Sequence, residues 1–169
     1  MKLDYKTLYT KNFEFYESRP QAKRVVVLLN KLLPYLFALA YVLLWVYAYD
    51  TVEQREQVTL FFLPVTSFIT VSAMQLFCQR PRPYEETGAG ITPMIEKNAT
   101  GNSFPSRHIA CAVAVAMAFI SHLPVVGALL LLFALALIYT RFTVGVHYIS
   151  DLLVGGGVGL FFGVLPFFF

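Results

Sequence analysis

Residues 140–151 read Thr-Arg-Phe-Thr-Val-Gly-Val-His-Tyr-Ile-Ser-Asp and stand between two long apolar runs. The stretch brings a cation, an imidazole and a carboxylate to what reads as a membrane edge. If it leads into a helix, His147 and Asp151 lie one turn apart on one face, where side chains at i and i+4 meet. A carboxylate so placed holds an imidazole in one tautomer and stabilises its charged form, as a nucleophile or base requires. Arg141, just before, is suited to grip an anion. The plainer reading is that these residues cap two helices at the water boundary.

Outward from this stretch almost everything is apolar. The chain of 169 residues is 57% hydrophobic and 14% charged, with a mean hydropathy of +0.63, which excludes an ordinary soluble domain. The expectation is an all-α integral membrane bundle, one domain over 1–169. The net charge of +3 traces to Lys2, Lys6, Lys11, Arg19, Lys23, Arg24 and Lys31, placed as membrane-flanking bases are. No nucleic-acid motif is present, and no nucleic-acid partner is expected. Met1–Lys31 lacks an apolar core with a small-residue cleavage site, so no cleaved signal peptide is expected. Cys78 and Cys111 show no metal-ligand spacing and read as packing residues, with a disulfide the lesser alternative. Asn98-Ala99-Thr100 fits a glycosylation acceptor, a pattern common by chance.

Residues 3–20 mix tyrosines and phenylalanines with charges at a rough helical period, which predicts an interfacial amphipathic helix over about 1–22, closed at Arg19-Pro20. Five apolar runs follow, each read as a span: Val25–Tyr49, Val58–Phe77, Pro105–Ile120, Pro124–Tyr139, and Tyr148 to the C-terminus. Gly155, Gly159 and Gly163 recur every four residues in the last, the spacing that lets membrane helices approach closely. The long polar connection at 78–104 is expected to be functional.

Three polar constellations fall at one membrane face. Besides 140–151, these are Gln75–Pro83 (Gln-Leu-Phe-Cys-Gln-Arg-Pro-Arg-Pro) and Ser103–His108 (Ser-Phe-Pro-Ser-Arg-His). Read alone, Arg80 and Arg82 are interface anchors. Pro105 suits the first turn of a helix, which would place Ser106, Arg107 and His108 there beside free N–H groups that favour a phosphate-like anion. No metal site is read: the acids do not cluster, and the histidines lack a zinc spacing.

In sequence these segments resemble the three motifs of the type-2 phosphatidic acid phosphatase superfamily, K-x-x-x-x-x-x-R-P, P-S-x-H and S-R-x-x-x-x-x-H-x-x-x-D. Pro105-Ser106-Arg107-His108 completes the second. Arg141, His147 and Asp151 meet the third, with Thr140 in the serine position. Arg82-Pro83 closes the first, but Gln75 stands where the lysine belongs. The resemblance implies a metal- and cofactor-independent phosphatase acting through a phosphohistidine. His147 would attack phosphorus with Asp151 orienting it, and His108 would protonate the leaving oxygen and then help activate water. Arg82, Ser106, Arg107 and Arg141 would hold phosphate oxygens, with Gln75 offering a hydrogen bond but no charge.

The implied substrate is a lipid phosphate in the bilayer, an isoprenoid pyrophosphate such as undecaprenyl pyrophosphate, or phosphatidylglycerophosphate. The implied location is the plasma (inner) membrane with the site on the extracytoplasmic face. The N-terminal bases pull the other way under the positive-inside rule, toward a cytoplasmic site. Rival readings are a phosphotransferase using the same histidine, a non-catalytic lipid-phosphate binder, and a haloperoxidase holding vanadate.

Overall fold

The computed structural model describes residues 5–86, 90–96 and 101–168. The Asn98-Ala99-Thr100 acceptor, the first four residues and parts of the 78–104 connection lie outside the described residues. Among those described, the chain forms α1 (Tyr5–Glu17), α2 (Pro20–Thr51), α3 (Gln54–Cys78), α4 (Arg107–His122), α5 (Pro124–Thr143) and α6 (Ile149–Val164), then a single 3-10 turn at Leu165–Phe167. Proline opens α2 and α5 in their first turns, where its missing N–H costs nothing.

Four helices are long and apolar enough to cross a membrane: Pro20–Thr51, Gln54–Cys78, Pro124–Thr143 and Ile149–Phe167. The fifth expected span, α4, is shorter. Its 16 residues make about 24 Å at 1.5 Å per residue, less than the roughly 30 Å hydrocarbon layer. α4 is the central helix, with α2, α3, α5 and α6 packed around it. From Ile109 to Phe119 every residue but Cys111 is buried. The chain before it, Ser103–Ser106, is non-helical. The outer helices point Val42, Phe62, Leu132, Leu153 and Phe161 outward, apolar faces suited to lipid rather than water.

The glycine series sets the α4–α6 spacing. A Cβ at Gly155 would lie 2.6 Å from the Ser106 carbonyl oxygen, at Gly159 2.3 Å from that of Ala110, and at Gly163 2.4 Å from the Met117 Cβ. Each glycine therefore seats the backbone or the base of a side chain of α4. The result is a direct backbone bond between the helix starts, Ser106 N–H to the Asp151 carbonyl at 2.9 Å.

The N-terminal helix departs from the expectation. α1 (Tyr5–Glu17 among the described residues) ends at Glu17 rather than near 22, because Arg19-Pro20 stops it and residues from Pro20 on belong to α2. Its aromatic side turns inward as well as along the interface: Tyr9 and Tyr16 are buried, and the Tyr16 and Tyr139 hydroxyls meet at 2.8 Å. Cys78 and Cys111 are both unpaired thiols.

Gly157 has open space where a Cβ would go, whereas Gly159 has none. Gly159→Ala is therefore expected to lower thermal stability in detergent by about 1–3 kcal/mol through overpacking. Gly157→Ala is expected to be neutral or stabilising by a few tenths of a kcal/mol, since alanine is the better helix former. Thermal unfolding of the two variants side by side checks the asymmetry.

Candidate active site

Three chain reversals bring the polar constellations to one end of the bundle. At the end of α3, Gln79 takes a left-handed conformation (φ 40°) and its N–H closes on the Gln75 carbonyl. The chain then runs through Arg80–Pro83. After α5, Gly145 turns the chain at φ +78°, and a Cβ there would lie 2.6 Å from the Tyr9 hydroxyl oxygen. Only glycine meets both demands. Tyr148 then caps α6.

His147 therefore precedes α6 instead of lying in it. The expectation that helical spacing brings it to Asp151 is met in distance but not in mechanism. Asp151 is the third residue of the helix, and its carboxylate folds back to accept the Tyr148 N–H at 2.9 Å. This capping contact carries Asp151 Oδ2 to 3.5 Å from His147 Nδ1. The closer partner of Nδ1 is the Ser103 carbonyl oxygen at 3.0 Å. A carbonyl only accepts, so Nδ1 carries the proton and the Nε2 lone pair is left for chemistry.

Asp151 is fully buried and takes two further side-chain partners. The Ser103 hydroxyl donates to Oδ2, and Arg80 donates to Oδ1 at 2.9 Å. The same Arg80 nitrogen donates to the Ser150 hydroxyl at 2.7 Å, and the guanidinium lies 4.0 Å from the Tyr148 ring centroid. Arg80, read from sequence as an interface anchor, is thus the ion-pair partner of the buried carboxylate. Ser103 likewise carried no individual signal beyond its place beside the second motif.

The groups expected to hold an anion have a different character. Arg141 is buried, and neither it nor Arg82 pairs with a carboxylate among the described residues. Arg82 donates to the Val146 carbonyl at 3.2 Å. The Nε atoms of both arginines and the Ser106 hydroxyl are buried without a hydrogen-bond partner. Buried donors left unpaired are rare and call for a partner. Ser106 is the residue before α4 rather than part of its first turn, and its side chain makes no capping bond. His108 and Arg141 line one cavity together.

Two predicted phosphate ligands are placed elsewhere. Gln75 is buried and donates through Nε2 to the Pro105 carbonyl at 2.7 Å, so its amide N–H braces the approach to α4. Arg107 lies on the α3 side, its guanidinium 5.9 Å from the Phe68 ring centroid. Reasoning from sequence also missed the contacts of α1 with the candidate site. Tyr5 donates to the His147 carbonyl at 3.2 Å, Tyr9 to the Thr92 carbonyl at 2.7 Å, and the Tyr5 and Tyr148 rings lie 4.9 Å apart. The tyrosines at i and i+4 on α1 were the signal, but lipid and protein contacts look alike in such a pattern. Among the described residues, no three His, Cys, Asp or Glu side chains group as metal ligands would.

Burial pushes the His147 imidazole below its ordinary value of 6.5, and the Arg82 and Arg141 charges push it further, against the opposing Asp151 carboxylate. The ring is therefore neutral at pH 7. With the folded-state value depressed, the unfolded chain takes up the proton first. His147 thus destabilises the fold as pH falls below 6.5, and has no such effect above it. Nitrogen-15 NMR of histidine-labelled protein in micelles, with His147→Gln for assignment, is expected to show an Nδ1–H tautomer that titrates below 6.5. The Gln75 brace gives a second expectation: Gln75→Met should cost about 1–3 kcal/mol of stability by leaving the Pro105 carbonyl unpaired, read as a fall in thermal midpoint.

A sequence model of the PAP2 superfamily matches residues 56–168, a region holding all three constellations. No curated protein matches the chain by sequence. Among solved structures, the chain is similar to the phosphatidylglycerolphosphate phosphatase of Bacillus subtilis, described as its first transmembrane PAP2 type. The TM-score is 0.75 at 19% identity, covering 96% of this chain and 82% of that one. It is also similar to Aquifex aeolicus LpxE, with a TM-score of 0.62 at 22% identity, covering 86% of this chain and 94% of that one. At such identities the likeness is one of fold, an all-helical membrane bundle. With the family match over about two thirds of its length, the chain belongs to the PAP2 superfamily.

Proposed function

We propose that this protein removes phosphate from a membrane lipid through a phosphohistidine. The observation that carries the reading is His147, buried and neutral with Nδ1–H held on the Ser103 carbonyl, beside three buried donors that lack partners, on Arg82, Arg141 and Ser106. A phosphoryl group offers the acceptors and the negative charge this arrangement lacks.

In the first step His147 Nε2 attacks phosphorus, forming a P–N bond while the bond to the leaving oxygen breaks. His108 gives that oxygen a proton. As charge develops on the imidazole, Asp151 stabilises it. In the second step water attacks phosphorus, His108 takes its proton, and the P–N bond breaks to release phosphate and restore His147. Arg82, Arg141 and Ser106 bind the equatorial oxygens throughout, where charge in the transition state is greatest.

The lipid tail has a place beside this chemistry. A cavity of about 500 Å³ lies among α2, α3 and α4, with Phe37, Phe68, Cys111 and Val115 in its walls and His108 at its edge. An apolar chain here would keep a phosphate head at His108. Undecaprenyl pyrophosphate and phosphatidylglycerophosphate both suit this division.

The test is phosphate release from a panel of lipid phosphates in detergent with a chelator present. Wild type is expected to release phosphate, and His147→Ala to lose at least about 1,000-fold, as removal of a nucleophile does. Loss of wild-type activity on chelation would overturn the metal-independent mechanism, and transfer of phosphate to an alcohol acceptor in place of water would make the enzyme a transferase.

Sidedness has its own test. Single cysteines at Gln21, at the start of α2, and at Gln54, at the start of α3, report opposite ends of α2 in a Cys78→Ser/Cys111→Ser background. With the outward-facing site that the family resemblance implies, Gln21→Cys is expected to react with an impermeant maleimide in intact cells and Gln54→Cys only after permeabilisation. The reverse pattern would follow the N-terminal bases and put the site in the cytoplasm.

A further inference from the structure

A second cavity, of about 510 Å³, adjoins the tail cavity and is lined by Asn30, Lys31 and Tyr35 of α2 together with Ile95, His108 and Arg141. The two cavities share Pro34, Ala38 and His108. Along α2 the lining positions Val27, Lys31, Pro34, Ala38 and Tyr41 follow the alternating four- and three-residue steps of one helix face. The pair therefore forms one trough along α2, polar at the Lys31 end and apolar at the Tyr41 end, with His108 at the junction.

Two features of the polar end are unexplained by the fold. Lys31, exposed along the trough, forms no ion pair among the described residues, although it sits 11 residues into α2, in a membrane helix where an ammonium is tolerated at the interface or at a site. Asn30 beside it is buried, and its side-chain oxygen has no partner. A buried acceptor in that state calls for a donor, such as water or a headgroup hydroxyl, and not for an anion. Gln75 meanwhile supplies no charge to the phosphate site, and its N–H is committed to the Pro105 carbonyl.

We propose that Lys31 forms a second anion subsite that binds a phosphate of the substrate other than the one transferred to His147. The inference rests on the phosphatase reading above and deepens it. A lipid whose head carries two phosphates, as a diphosphate or as a monoester beyond a diester, fills both sites. The reacting phosphoryl group lies at Arg82, Arg141 and Ser106, and the second phosphate faces Lys31. A lipid with one phosphate leaves Lys31 unpaired. Lys31 is thus a specificity determinant drawn from a helix that carries none of the three motifs.

Farnesyl monophosphate and farnesyl diphosphate share one tail and differ by one phosphate, so the ratio of their kcat/KM values isolates the subsite. Wild type in detergent is expected to favour the diphosphate. Lys31→Gln should lower the diphosphate-to-monophosphate ratio by about tenfold, the scale of one charge-assisted contact, while Lys31→Arg keeps it. Lys11→Gln removes an exposed lysine of α1 remote from the trough and should leave the ratio as in wild type. An unaltered ratio in Lys31→Gln, or an equal fall in Lys11→Gln, would overturn the subsite while His147-dependent release continued. Absence of His147-dependent release from every lipid tried would overturn the phosphatase reading itself, and the subsite with it.

Discussion

A fully buried carboxylate in a membrane bundle exists only if its charge is answered, and Asp151 is answered from three segments at once. Arg80 comes from the end of α3, Ser103 from the chain before α4, and the Tyr148 N–H from the turn before α6. Removing water from a carboxylate costs several kcal/mol, and charge-assisted hydrogen bonds offset that cost only when geometry is tight. The three segments are consequently held in one arrangement. His147, with its ring on the Ser103 carbonyl, inherits its position from that arrangement. The backbone bond from Ser106 to the Asp151 carbonyl extends the same hub to the start of α4.

The hub depends in turn on an absence of side chains. The glycine face of α6 lets α4 approach until backbone meets backbone, and without that approach Ser106 and Asp151 could not bond. Small residues substitute for the hydrophobic driving force that lipid does not supply between helices. What looked in sequence like packing alone therefore also sets the distance between Ser106 and the His147 loop. α1 closes the arrangement from outside: Tyr9 lies against the Gly145 turn, and Tyr5 bonds the His147 carbonyl.

The sequence made the architecture and the segments that supply the candidate site legible because both rest on strong local signals. Long apolar runs mark helices whatever their neighbours, and the spacing of Arg141, His147 and Asp151 survives any small error in helix ends. Less legible was the division of labour among cations. Arg80 and Arg82 are two residues apart in one Arg-Pro-Arg-Pro stretch, yet one neutralises Asp151 while the other adds its field to that of Arg141 at His147. Nothing local distinguishes them, since the distinction is made by partners about 65 to 70 positions away. The same holds for α4: composition gives it the same apolar character as the other spans, and only its central place explains why it is shorter. Gln75 was read as a weakened phosphate ligand, and its actual partner, the Pro105 carbonyl, is a backbone atom that no side-chain pattern announces.

That brace changes how the missing motif lysine is understood. A lysine at a position this buried must either place its ammonium on an anion or lose its charge. Glutamine asks for less: one amide donor satisfies one carbonyl, and the helix start stays in place with or without phosphate. Among the described residues, the positive field at His147 comes from Arg82 and Arg141, both without carboxylate partners there. Burial first, and then the two guanidiniums, depress the basicity of the His147 imidazole, which in the proposed mechanism preserves a nucleophile, and a third cation at the same distance would depress it further. Under the proposed mechanism, the charge subtracted at Gln75 would weaken attraction for phosphate while relaxing the repulsion that His147 would meet on becoming cationic in the transition state. A lysine in the trough along α2, as proposed for Lys31, would separate these effects, because Lys31 is not among the charges that shift the His147 imidazole.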